Sequence, residues 1–132
     1  MTPGLSVGLD VVDVRDIEAS IARFGARYLS RIYTPAEIEY STSARDRATA
    51  ARRLAARFAA KEATIKALAA GERGISLREI EIARRDDGAI VLALSGAAFA
   101  AAREVGEPTF AVSVSHEGHL AAAVVICTWV KP

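Results

Sequence analysis

Residues 44–69 read ARDRATAARRLAARFAAKEATIKALA. No Gly or Pro interrupts them, alanine is the strongest helix former, and Ala51, Leu54, Ala55, Phe58 and Ile65 recur on one face, so the stretch is predicted to be one long helix from Ala44 to Ala69. Gly71 and Gly74 end it. With Ala55 as origin and about 100° per residue, Ala51, Phe58, Ile65 and Leu54 fall at roughly −40°, −60°, −80° and −100°. Glu62 falls at roughly −20°, inside the apolar stripe. An ionised carboxylate there is costly unless a cation, a metal or several donors compensate it.

Outward from this helix the pattern changes period. Leu5, Val7, Leu9 and Val11 alternate with Ser6, Gly8 and Asp10, as in a strand with one buried face, here taken to be the leucine and valine face. Asp13 is a plausible helix cap before Ile17, Ile21 and Phe24, and Gly25 stops that helix. Thr34, Pro35 and Glu37 form a capping box that starts a second short helix running toward Tyr40. Beyond the long helix, Ile80 and Ile82, then Ile90, Leu92 and Leu94, flank Asp86-Asp87-Gly88 as a hairpin. Ser95 caps a helix carrying Phe99, Ala102 and Val105, Phe110, Val112 and Val114 alternate as a strand, and a last strand runs from Leu120 to Val130 after a turn at Glu117-Gly118. The expected class is α+β: helices, including one long central helix, packed on a largely antiparallel sheet.

At 132 residues the chain is expected to form one domain, residues 1–132, with 52% apolar and 25% charged residues, ordinary globular usage. A net charge of +1 argues against a protein held to nucleic acid by general electrostatics. The one cysteine, Cys127, excludes an intrachain disulfide and a multi-cysteine zinc site and suits a reducing cytoplasm. Neither a signal segment in MTPGLSVGLD nor a run of 18 apolar residues suggests export or a membrane span.

Glu62 and Lys66 stand at i, i+4 and admit a local ion pair shielding the seam. A second reading recruits Asp10, whose strand-end carboxylate would meet Glu62 across the sheet and helix contact and form a two-carboxylate site for a hard cation. Magnesium keeps several waters and takes phosphate oxygens, so carboxylates beside Lys and Arg suggest phosphate chemistry.

Three segments then resemble the signature regions of the holo-acyl-carrier-protein synthases, in order and spacing: Gly8-Leu9-Asp10, the run Arg57-Phe58-Ala59-Ala60-Lys61-Glu62-Ala63-Thr64-Ile65-Lys66, and Ser113-Val114-Ser115-His116. The resemblance extends to the Thr34-Pro35 capping box, the strand at Ile80 to Ile82 and the AAAVVI run ending at Ile126. It implies a magnesium-dependent 4′-phosphopantetheinyl transferase that moves the phosphopantetheine arm of coenzyme A to a serine of an acyl carrier protein, fatty-acid or polyketide, and releases 3′,5′-ADP. Under the resemblance Asp10 and Glu62 would be magnesium ligands, and Asp10, Glu62 and Lys66 the catalytic set, with Lys66 on the phosphates. Arg57, Lys61, Gly71 and His116 would lie near the nucleotide. The serine proton would leave through a metal-bound water or through Glu62.

This chain departs from the family pattern at Asp16, where relatives often carry arginine, and at Ala69-Ala70-Gly71, where they often carry two glycines. Arg23, Arg27 and Arg31 at i, i+4 spacing, with Arg15 upstream, would steer an acidic carrier. The family also implies a homotrimer with active sites at subunit junctions, His116 facing a different subunit from Asp10. The small residues Ala121 to Ala123 would then let neighbouring chains approach. The alternatives are a non-catalytic coenzyme A or carrier-protein binding module of the same fold, and a purely structural oligomer.

Overall fold

The computed structural model describes residues 2–131, so Met1 and Pro132 of the expected 1–132 domain lie outside the described residues. Strand β1 (Thr2–Asp13) leads into helices α1 (Val14–Phe24), α2 (Ala26–Ile32), α3 (Pro35–Thr42) and α4 (Arg47–Ala67). A single 3-10 turn at Leu77–Glu79 precedes strands β2 (Ile80–Arg84) and β3 (Ile90–Leu94), then helix α5 (Gly96–Glu104) and strands β4 (Thr109–Glu117) and β5 (Leu120–Lys131). One antiparallel sheet has the order β1-β5-β4, and β2 and β3 pair as an antiparallel hairpin. The α+β class and the long central helix are as expected.

Local chemistry accounts for the element ends. Asp13 caps α1 by accepting from the Arg15 amide, and Asp46 caps α4 by accepting from the Thr49 amide at 2.7 Å. The Thr34–Glu37 box caps α3 with both of its reciprocal bonds. Ser95 stands at the cap of α5, but its side chain makes no capping bond. Gly25 adopts φ +56 and splits the basic segment, leaving Arg23 on α1 and Arg27 and Arg31 on the unexpected α2. That seven-residue helix buries none of its residues, so it lacks the continuous apolar stripe by which a helix is read from sequence.

The core lies between α4 and the three-stranded sheet. Ala55, Ala59, Ala60 and Ala63 of α4 are buried against the inward face of β5, where Ala121, Ala123, Val125 and Cys127 are buried as well. Small residues on both sides let helix and sheet approach closely. The approach is tightest at Gly8, where a β-carbon would stand 1.8 Å from the Ala63 carbonyl oxygen. On either side of it, the Ser6 hydroxyl donates to the Ala67 carbonyl at 2.6 Å and Lys66 Nζ donates to the Leu9 carbonyl at 2.8 Å.

This contact reverses two expectations. Ser6, Gly8 and Asp10 face α4, so Leu5, Val7, Leu9 and Val11 point outward, each more than half exposed. Alternation fixed the period correctly, but the narrow gap against the α4 carbonyls selects the small face and not the bulky one. For the same reason Ala121 and Ala123 serve packing inside the subunit and not contact between chains; of the three, Ala122 alone sits on the outward face, opposite Val11. Phe24 and Phe99, expected on buried helix faces, are each about half exposed.

Because the oxygen that a new β-carbon would meet is backbone, relief requires moving α4 against β1. Gly8→Ala is expected to lower the unfolding free energy by roughly 1–3 kcal/mol. Gly71→Ala, at a position with nothing within 4 Å, is expected to stay within about 0.5 kcal/mol. Urea unfolding of both variants checks this, and a Gly8→Ala midpoint equal to wild type would contradict it.

Candidate functional site

Asp10 reaches the edge of the β1–α4 contact because Gly8, two residues earlier on the same face, lets the strand sit against the helix. Lys66 Nζ lies 3.1 Å from Asp10 Oδ1, so it pairs across to the strand and not with Glu62 one turn earlier on its own helix. Its side chain is about half exposed, that of Asp10 mostly covered. Glu62 sits part-buried on α4, and burial, then the charge of Asp10, raise its pKa above the usual carboxylate value, with Lys66 opposing. The structure therefore brings together Asp10, Glu62 and Lys66: two carboxylates, with the charge of Asp10 disfavouring that of Glu62, and one ammonium.

Two carboxylates beside one another fit a hard cation that retains water and shares ligands with a phosphate. Their mutual repulsion is what such a cation would relieve. Among the described residues no group of three His, Cys, Asp or Glu is placed to hold a metal.

A second cavity, of about 320 Å³, opens between α3, α4, β2 and β4. Arg53, Arg57, Arg84, Tyr40 and His116 line it, and its lining contains four arginines and no carboxylate. The guanidinium groups of Arg57 and Arg53 stack on the Tyr40 ring at 4.4 and 4.6 Å, and Arg53 also donates to the Tyr40 carbonyl. Arg57 is only 7% exposed, burial lowers its pKa, and its Nε has no hydrogen-bond partner. A buried guanidinium left short of partners among other cations makes an anion receptor. Arg57 and His116, both expected near the nucleotide, thus line one cavity. Tyr40, Arg53 and Arg84 were not anticipated. Only the i, i+4 spacing of Arg53 and Arg57 signals them in sequence, since Tyr40 and Arg84 arrive from other elements.

Two other expectations change. Lys61 is fully enclosed, with Nζ donating to Glu37 Oε1 at 2.7 Å and to the carbonyls of Leu77 and Ile80 at 2.9 and 2.6 Å. All three of its donors are used, so it is not available to a nucleotide. Gly71 lies in an exposed turn beyond α4 and does not line the arginine cavity. The left-handed backbone that favours glycine falls two residues earlier, at Ala69 with φ +53. Arg15 is held by the carboxylate of Asp13, and that pairing draws the Asp13 pKa down to about 2. It is thereby tied to the cap of α1, while Asp16 remains exposed in the first turn.

The model of the 4′-phosphopantetheinyl transferase superfamily matches residues 6–124. A holo-[acyl-carrier-protein] synthase of Koribacter versatilis is 45% identical over 123 residues, 92% of this chain and 96% of that protein. The ACPS–coenzyme A complex of Chronobacterium ammoniagenes superposes with a TM-score of 0.84 at 26% identity, covering 97% of this chain and 99% of that one. The Helicobacter pylori holo-[acyl-carrier-protein] synthase in complex with coenzyme A gives 0.74 at 28% identity over 92% and 98% of the two chains.

The carboxylate pair is testable without any ligand. Since an anion at Asp10 disfavours ionisation of Glu62, Asp10→Asn is expected to lower the Glu62 pKa while leaving it above the usual value, because burial remains. Carbon-detected NMR titration of the Glu62 carboxyl reads the shift. An unchanged pKa would mean that the two carboxylates do not face each other.

Proposed function

The chain belongs to the 4′-phosphopantetheinyl transferase superfamily, and from that membership together with its site geometry we infer that it transfers the 4′-phosphopantetheine arm of coenzyme A to a serine of an apo acyl carrier protein, releasing 3′,5′-ADP. The observation that carries this reading is the convergence of Asp10, Glu62 and Lys66 across the β1–α4 contact. In the transfer the serine oxygen bonds to the phosphorus of the arm, and the bond from that phosphorus to the oxygen of the departing 3′,5′-ADP breaks. No protein nucleophile is needed, so the chain contributes positioning and charge neutralisation. Asp10 and Glu62 would hold magnesium, which when bound neutralises the diphosphate. Lys66, tethered to Asp10 and the Leu9 carbonyl but half exposed, offers its ammonium to the leaving phosphate oxygen. Arg57 and His116 take the nucleotide end. The favoured reading over a non-catalytic binding module is thus an enzyme acting as one domain across residues 1–132. No helix among the described residues is long and apolar enough to cross a membrane, and the lone buried thiol of Cys127 suits a reducing cytoplasm.

The same reading requires several copies. Arg57 and Glu62 are five residues apart on α4, about 140° around the helix, so the cavity and the carboxylate pair occupy different faces. A neighbouring chain that brings its cavity to the pair would let one coenzyme A engage both. The outward face of the sheet supplies a surface for that contact: Val7 beside Ile126, Leu9 beside Val124 and Val11 beside Ala122 form apolar rows across β1 and β5. A closed trimer buries such a face on every copy. The carrier docks near α1 and α2, where Arg23, Arg27 and Arg31 are exposed beside Phe24.

Incubation with coenzyme A, magnesium and an apo carrier is expected to yield a carrier heavier by the phosphopantetheine group in mass spectrometry, and a chelator is expected to abolish the product. Glu62→Gln is expected to cut turnover about a hundredfold or more while keeping the fold. A fully active variant would return Glu62 to a structural role. Light scattering is expected to report a trimer, and mixing inactive Asp10→Ala chains with inactive His116→Ala chains to restore activity. A fully active monomer would remove the shared site.

A further inference from the structure

The ion pair that removes Lys61 from the nucleotide site joins the walls of that site. Glu37 Oε1 accepts from Lys61 Nζ at 2.7 Å and from the Thr34 amide at 2.8 Å, and Oε2 accepts from the Ile82 amide at 2.9 Å. Both side chains are at most 1% exposed, and both are fully satisfied. The bonds therefore tie α3 to α4 and to β2, and Lys61 adds the Leu77 and Ile80 carbonyls at the start of β2.

These are the elements that supply three sides of the arginine cavity. Tyr40 stands one turn after Glu37 on α3, Arg57 one turn before Lys61 on α4, and Ile82, whose amide Glu37 holds, lines the cavity from β2. The stacking of Arg57 and Arg53 on the Tyr40 ring depends on how α3 lies against α4. Four arginines around one cavity also repel each other, so their packing needs a fixed scaffold to hold it open for an anion. The carboxylate of Glu37 lowers that cost, being the foremost charge favouring the ionised form of Arg57.

We propose that the buried Glu37–Lys61 pair is a positioning device for the nucleotide end of coenzyme A: by locking α3, α4 and β2 together it orients Tyr40 and Arg57 and sets nucleotide affinity without touching the nucleotide. This rests on the transferase reading above. The pair acts through Tyr40 and Arg57, so its loss changes binding and leaves the chemistry at Asp10, Glu62 and Lys66 in place.

Calorimetric binding of 3′,5′-ADP to wild type, Glu37→Gln, Tyr40→Leu and the combined variant tests this, beside steady-state kinetics and thermal unfolding of each. Glu37→Gln is expected to weaken 3′,5′-ADP about tenfold and raise KM for coenzyme A similarly, with kcat within about threefold of wild type. Tyr40→Leu is expected to weaken binding by a comparable factor, and the combined variant to lose no more than the larger single loss, since both act on one arrangement. If Glu37→Gln does not fold, Glu37→Gln with Lys61→Met removes both buried charges together and is read the same way. Lowered unfolding midpoints with unchanged 3′,5′-ADP affinity, or losses that simply add, would overturn the inference while leaving the transferase reading intact. A wild-type chain that neither binds 3′,5′-ADP nor modifies a carrier would overturn both.

Discussion

The carbonyl oxygen of Ala63 occupies the space where residue 8 would carry a β-carbon, and most of this structure follows from that contact. Only glycine lets the first strand lie this close to the long helix. Ser6 and Asp10 are then brought onto the helix side, where the Ser6 hydroxyl reaches the Ala67 carbonyl and Asp10 meets Lys66. The leucines and valines between them are turned outward. One steric constraint thus sets the Asp10 carboxylate beside Lys66 and also turns an apolar sheet face outward.

The long helix organises the rest by presenting different residues around its circumference. Its alanines fill the gap to the sheet, Glu62 and Lys66 border the first strand, Lys61 is anchored through Glu37, and Arg53 and Arg57 face Tyr40. Asp10, Glu62 and Lys66 gather beside the first strand, and the arginine cavity opens on another side of the helix. Their separation around one helix is the physical ground for the proposed sharing of one coenzyme A between subunits.

Much of this was legible in the sequence because it is local. The capping box at Thr34 to Glu37, the Asp13 cap, the hairpin at Asp86 to Gly88 and the uninterrupted α4 each depend on neighbouring residues, and each forms where its residues predict. The anomalous place of Glu62 in an apolar stripe points to a carboxylate site, the i, i+4 spacing brings in Lys66 and the strand-end position brings in Asp10, and the signature segments contain all three. What the sequence hid depends on distant partners. Alternation gives the period of the first strand but not its buried face, which the α4 carbonyls decide. Lys61 and Glu37 are 24 positions apart, so nothing local distinguishes a lysine that binds phosphate from one that anchors a helix. Tyr40 and Arg84 join Arg57 only once α3 and β2 have packed on α4.

In the proposed enzyme the carboxylate pair of one chain and the arginine cavity of another act on a single coenzyme A. A crystal structure of the protein with coenzyme A and manganese, located by its anomalous signal, tests it most directly. The expected result is the metal between Asp10 and Glu62 of one subunit and the nucleotide phosphate against Arg57 and His116 of the neighbouring subunit. Manganese bound away from that pair, or a coenzyme A held entirely within one copy, would contradict it.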